Sequence, residues 1–94
     1  MAYQSTNPYN GKVLQKFDEI NDAALEEKLS QASNCFENEW RGKSFAERSA
    51  VLARAAAILR ERPQEFAELI TLEMGKLLPQ SLGEVDLSAA ILDY

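Results

Sequence analysis

Glu73 lies in the middle of an apolar stripe that has the spacing of one helix face. The apolar members of this stripe are Phe66, Leu69, Ile70 and Leu77. A carboxylate on a buried face has to be paired or neutralised, because its charge is costly to remove from water. The pattern leaves two interpretations open. Glu73 either binds a cation or acts as a buried hydrogen-bond acceptor, or it is a helix-end carboxylate that reaches solvent or pairs with Arg48.

Two other side chains could do chemistry, a guanidinium and a thiol. Arg48 lies on the apolar face of a predicted helix, and a buried arginine is nearly always paired, so an intramolecular salt bridge is favoured over contact with an acidic substrate. Cys35 lies late in its predicted helix, where the dipole disfavours an anion. Its neighbours Asn34, Phe36 and Glu37 are not cationic. We interpret Cys35 as a passive small residue.

Composition excludes several classes of function. The chain has no histidine and one cysteine, which excludes zinc-type sites, internal disulfides and Ser-His or Cys-His catalysis within these residues. A net charge of −5 without a basic cluster argues against nucleic-acid binding. No apolar run approaches the roughly 20 residues that span a bilayer. The N-terminus lacks the basic region and apolar core of a secretory signal, so a cytoplasmic location is expected.

The elements that position these residues begin with a predicted β-hairpin. Residues 7–11 form a turn, because Pro8 presets its φ angle and Asn10-Gly11 tolerates a positive φ. Residues 13–17 follow as a strand that pairs with the residues before the turn. Two strands alone are marginally stable in water, so this hairpin has to pack on another element.

Two helices are predicted in the middle of the chain. The first begins after Asn21 as N-cap and is expected to end at Gly42 in a left-handed conformation. Trp40, near its end, is interpreted as a core or interface residue. The second helix begins after Ser44, which forms a capping box with Glu47.

Two more helices are predicted in the second half. The third runs from about Pro63 to Met74, with Gly75 as a left-handed cap, and the fourth begins near Pro79. Apolar residues lie nearly all round the fourth helix, which predicts that it is buried on all sides. Three short helices and a hairpin cannot cover it. The sequence thus predicts a mainly α fold with an N-terminal β-hairpin, belonging to a larger protein.

A set of motifs recurs in a fixed order along the chain. They are Asn7-Pro8-x-x-Gly11-Lys12-Val13, a helix ending in Phe36 and Trp40, Ser44-x-x-Glu47-Arg48, Leu52 and Leu59, Glu73-x-Gly75-Lys76, and Gly83-Glu84-Val85. Their order and spacing resemble the N-terminal segment of the aldehyde dehydrogenase superfamily over residues 6–94. The run at residues 69–76, followed by residues 83–85 and a final Asp-Tyr, looks most like the succinate-semialdehyde dehydrogenase branch.

This resemblance implies a parent enzyme with an α/β, Rossmann-like fold. In the family, a cysteine thiolate attacks the aldehyde, hydride passes to NAD or NADP, and an activated water releases the carboxylate. The motifs for the nucleophile, base, oxyanion Asn and cofactor loop do not occur here. We therefore expect residues 1–94 to form the first part of a discontinuous cofactor-binding domain, with no catalytic or cofactor-binding residue and no activity alone.

The resemblance also implies roles for individual residues. Glu73 matches a position that helps bind a structural monovalent cation in some members, together with backbone carbonyls that here belong to Ser5 and Thr6. Glu84 and Ser88 lie on a helix that resembles the one flanking the substrate tunnel. The parent is expected to act on a small-molecule aldehyde, probably a semialdehyde, as a homo-oligomer (dimer or tetramer), without nucleic-acid or membrane partners.

The alternative is a stand-alone helical interaction module that docks on a dehydrogenase subunit. The fourth helix shows no stop signal before Tyr94, which favours the N-terminal part of an enzyme. A reading frame that continues into a Gly-Gln-x-Cys nucleophile motif would support the enzyme, and a native stop codon would support the module.

Overall fold

A computed structural model describes residues 3–94 as a hairpin followed by helices. Its elements are β1 (Tyr3–Thr6), β2 (Val13–Phe17), α1 (Asp22–Cys35), a π-helical turn (Phe36–Trp40), α2 (Phe45–Glu61), α3 (Pro63–Met74) and α4 (Leu78–Asp93). The predicted mainly α fold with an N-terminal hairpin is confirmed.

The hairpin is antiparallel, and its turn explains its register. Tyr3 pairs with Phe17 at the open end, and a bulge interrupts the ladder between Ser5 and Thr6. Gly11 adopts a φ of 71°, and its N–H donates to the carbonyl of Asn7 at 2.8 Å. The predicted positive φ at this turn is confirmed. All five residues of β2 are exposed, so the sheet covers little of its own surface.

The first helix ends differently from the prediction. Asn21 is confirmed as N-cap, since its Oδ1 accepts from the N–H of Ala24 at 2.8 Å. The α-helix then gives way to the π-helical turn, which closes with a bond from the Arg41 N–H to the Phe36 carbonyl at 2.8 Å. Gly42 lacks the positive φ expected of it; among residues 3–94 only two other glycines have one.

Arg48 accounts for this difference and corrects a second prediction. Its Nη2 donates to the carbonyls of Trp40 and Arg41, each at 3.2 Å. Its guanidinium also lies over the half-buried Trp40 ring, 5.6 Å from the centroid. The predicted salt bridge is therefore replaced by carbonyl contacts. Because a side chain satisfies these helix-end carbonyls, no left-handed residue is needed at Gly42.

The starts of α2 and α3 match the sequence signals. The Ser44 N–H donates to Glu47 Oε2 at 2.8 Å, and the Glu47 N–H donates to Ser44 Oγ at 3.2 Å. This reciprocal pair is the predicted capping box. Pro63 occupies the first turn of α3, where its missing N–H removes no helical bond.

The core lies where α2, α3 and α4 meet, and it consists of small residues. Its buried members are Ala56, Ala67, Ser81, Val85 and Ala89. The buried hydroxyl of Ser81 shares a hydrogen bond with Thr71 at 2.9 Å, which satisfies it. The radius of gyration is 17.4 Å, whereas a compact domain of this length has about 12 Å. The molecule is a slab only 15 Å thick.

Helix α4 shows why the slab is thin. The helix begins at Leu78, close to the predicted start at Pro79, and its inner face packs on α2 and α3. Its opposite face stays exposed: the exposed fractions are 59% for Leu87 and 64% for Ile91. The prediction that α4 is buried on all sides is therefore not met within residues 3–94, because the other helices supply cover for one side only.

Replacing Gly75 by alanine should destabilise the chain. Gly75 adopts φ 74°, and a Cβ there would lie 3.0 Å from Pro8 Cγ. We expect Gly75→Ala to lower the free energy of unfolding by about 1–2 kcal/mol, measured by urea denaturation. Gly42→Ala is the matched control, since nothing lies within 4 Å of its Cβ position. Equal effects of the two substitutions would contradict this account.

Candidate functional site

The last turn of α3 lies against the first strand of the hairpin. There the Ser5 hydroxyl donates to Glu73 Oε1 at 2.7 Å, across 68 positions of sequence. Ser5 is half-buried on β1, and Glu73 is exposed. We call this contact the Ser5–Glu73 junction. It is the described hydrogen bond that links the hairpin to the helices.

A close backbone approach completes the junction. Helix α3 ends at Gly75, whose N–H donates to the Thr71 carbonyl at 3.0 Å and whose left-handed conformation turns the chain toward α4. Pro8 in the hairpin turn packs directly over the Gly75 Cα. The glycine is therefore needed twice, for its positive φ and for the room that Pro8 occupies.

The geometry decides between the interpretations of Glu73. It does not pair with Arg48, whose Nη2 is engaged by the carbonyls of Trp40 and Arg41. It is not a buried acceptor either, because its side chain is exposed. It is a helix-end carboxylate that reaches solvent and accepts one hydrogen bond.

The predicted cation ligands are thus brought close together. Glu73 and Ser5 are in contact, and Thr6 follows Ser5 along β1 at the bulge. Carboxylate and carbonyl oxygens suit hard cations. No group of three or more His, Cys, Asp or Glu side chains occurs in residues 3–94. With a single carboxylate, the junction has the charge to suit a monovalent ion rather than a divalent one.

Glu84 and Ser88 lie one turn apart on the flank of α4. Glu84 pairs with Lys76 across the loop between α3 and α4. Ser88 is exposed. The structure therefore places them on one side of a helix, and their role beside a substrate tunnel stays a prediction.

Two open cavities adjoin the loop between α3 and α4. The larger, of about 310 Å³, lies between the hairpin turn and this loop, and Asn7, Tyr9 and Lys76 contribute to its lining. The second, of about 260 Å³, lies beside Leu72 and Leu78. Both linings are largely apolar and offer no pair of groups placed for acid–base catalysis.

Cys35 lacks the surroundings of a catalytic thiol. It is exposed near the end of α1, and its Sγ lies 3.8 Å from Glu39 Oε2. A reactive thiolate is stabilised by a cation or a helix N-terminus, and here the neighbour is a carboxylate. The geometry agrees with a passive role.

Comparison with known proteins identifies the family. The sequence model of the aldehyde dehydrogenase family matches residues 1–94, and the chain belongs to this family. It is 40% identical over 92 residues to a succinate-semialdehyde dehydrogenase [NADP(+)] of Deinococcus radiodurans, covering 98% of this chain and 19% of that protein. It is 38% identical over 94 residues to a probable succinate-semialdehyde dehydrogenase [NADP(+)] of Synechocystis, covering all of this chain and 20% of that protein.

Solved structures contain the same arrangement. The chain superposes with a TM-score of 0.94 on Gox0499, at 36% identity, and 0.89 on succinic semialdehyde dehydrogenase from Streptococcus pyogenes in complex with NADP+, at 41% identity. Each match covers 99% of this chain and 20% of the other. The chain thus spans about one fifth of the proteins it matches. In the described residues, no helix has both the length and the apolar character required to cross a membrane.

A double-mutant cycle should measure the Ser5–Glu73 junction. We expect Ser5→Ala and Glu73→Gln to show a coupling energy of about 0.5–1 kcal/mol, discounted for exposure of the carboxylate, in urea unfolding. The matched control is the exposed pair Gln64 and Glu68, which bond at 3.1 Å within α3 and should couple by about 0.5 kcal/mol or less. A coupling at residues 5 and 73 no larger than this would contradict a tether between hairpin and helices.

Proposed function

We propose that this chain is the N-terminal part of an NADP-dependent succinate-semialdehyde dehydrogenase. Such an enzyme oxidises the aldehyde to the carboxylate and reduces NADP+ to NADPH. The observation that carries the proposal is the match of nearly the whole chain to relatives of that name, at 38% and 40% identity. The likeness to a solved enzyme in complex with NADP+ supports the choice of cofactor.

Within that enzyme, residues 1–94 would form the first part of a discontinuous cofactor-binding domain. A dinucleotide is held at a Gly-rich turn between a strand and a helix. The described strands form an antiparallel hairpin, and β2 is followed by residues 18–21 without a glycine. These residues do not fit the cofactor, so we assign them neither its binding nor a catalytic step.

The parent enzyme is proposed to act on a small-molecule aldehyde as a homo-oligomer, a dimer or a tetramer, in the cytoplasm. The family resemblance supports this assignment. Glu84 and Ser88 are proposed to lie beside its substrate tunnel, on the helix flank that carries the Glu84–Lys76 ion pair.

A graft tests the proposed function. We expect the purified 94-residue chain to form no NADPH from succinate semialdehyde. The same chain, replacing the matched segment of the Deinococcus radiodurans enzyme, should give an active chimera that retains about a tenth or more of the kcat/KM, a loss below about 1.4 kcal/mol. The enzyme with that segment deleted is the negative control.

The outcomes of the graft separate the alternatives. NADPH formation by the chain alone would contradict its expected inactivity. A folded chimera without activity would contradict the assignment to this enzyme. Binding of the free chain to the intact, unmodified Deinococcus enzyme would favour the stand-alone interaction module.

We also propose that the Ser5–Glu73 junction holds a monovalent cation. Glu73 would supply a carboxylate oxygen, and Ser5 and Thr6 would supply backbone carbonyls. The support is the position of a solvent-reaching carboxylate beside the bulge of β1, where the regular ladder is interrupted. Bound there, the ion would add to the link between the hairpin and α3.

Glu73→Gln in the chimera tests the cation site. An ion that binds only the folded state raises the melting temperature as its concentration increases. We expect titration with Na⁺ or K⁺ to raise the melting temperature of the unmodified chimera, and Glu73→Gln to reduce that rise. Glu68→Gln, on the same helix, should leave it unchanged. Coincident titration curves for Glu73→Gln and the unmodified chimera would rule the site out.

A further inference from the structure

Helix α4 carries a second apolar face that no described element covers. Its inner face includes the buried residues Ser81, Val85 and Ala89, which meet α2 and α3. On the opposite side of the helix lies a set of exposed, apolar or small residues, which we call the outer face. Its members are Gly83, Leu87, Ala90 and Ile91.

Charged residues border the outer face on both flanks. Glu84 pairs with Lys76 on one flank, and on the other Asp93 pairs with Arg60 at 2.5 Å. These carboxylates are therefore already engaged within the chain. An apolar centre with a polar rim is the arrangement found at protein interfaces.

Gly83 gives the outer face a specific shape. It lies inside α4, where glycine weakens a helix relative to alanine. Its backbone does not have a positive φ. Nothing lies within 4 Å of the position that its Cβ would occupy. Neither conformation nor packing within the chain explains the glycine, so its small size must serve something outside.

The longer relatives indicate what covers this face. The solved chains contain the same arrangement of elements at TM-scores of 0.94 and 0.89, and this chain covers only 20% of each. In those proteins, about four fifths of the chain lies outside the arrangement described here. A subunit of that size has ample apolar surface to place against α4.

We propose that the outer face of α4 is an interface with the remaining part of the same dehydrogenase subunit. The occupant is an uncharged, apolar segment whose backbone approaches α4 most closely at Gly83, between the charged flanks. The proposal rests on the proposed function, because the occupant belongs to the parent enzyme. It concerns an internal contact, so it is separable from catalysis.

One substitution in two contexts tests it. In the isolated chain Gly83→Leu enters open space and removes a helix-weakening glycine, so helical content should increase and the melting temperature should rise by about 4 °C. In the Deinococcus chimera the same side chain would meet the covering segment, and the melting temperature should fall by at least about 2 °C. Asp86→Leu, on the flank of α4, is the matched control and should not fall by this amount.

Each result decides the question. A rise in both contexts would overturn the proposal, as would a chimera that does not fold, because the outer face would then not accept the remainder of a 40% identical enzyme. A folded but inactive chimera with the expected fall would contradict the proposed function and leave the interface supported. If sedimentation shows that the isolated chain dimerises and Leu87→Asp makes it monomeric, the occupant is a second copy and the proposal is wrong.

Discussion

Close packing of α4 against α2 and α3 is the constraint on which the other features depend. The residues at this contact are small, including Ala56, Ala67 and Ala89, so the helix backbones approach closely while burying little apolar area. Ser81 is tolerated there because Thr71 satisfies its hydroxyl. The contact fixes where α3 ends relative to α4, and thereby where Glu73 and Gly75 meet the hairpin.

The hairpin depends on this framework rather than supporting it. Its two strands are exposed and cannot stabilise themselves. The link is made by one hydroxyl–carboxylate hydrogen bond and by Pro8 packing over a glycine that has no side chain. Because both contacts come from the last turn of α3, a cation at that turn would act on the hairpin and the helices together. A structural role for the junction therefore follows from where it lies.

The slab shape connects this framework to the enzyme. A thin layer of helices has two large faces, and its own residues can bury only the contacts between them. Exposed apolar side chains on the outer face of α4 are then expected in a chain that spans one fifth of its relatives. The chemistry of the family would be supplied by the remaining part, and these residues would contribute support and position.

The sequence by itself determined the features that depend on neighbouring residues. The capping box at Ser44, the cap at Asn21, and the positive φ angles of Gly11 and Gly75 are local, because each bond joins residues a few positions apart. The order of motifs also identified the family. Only the tertiary structure decided the partners of Arg48 and Glu73. Arg48 takes backbone carbonyls that end the π-helical turn, a geometry that no side-chain pattern encodes, and this makes a left-handed Gly42 unnecessary. Glu73 meets Ser5 across 68 positions, because the close packing of α3 and α4 directs the end of α3 toward β1.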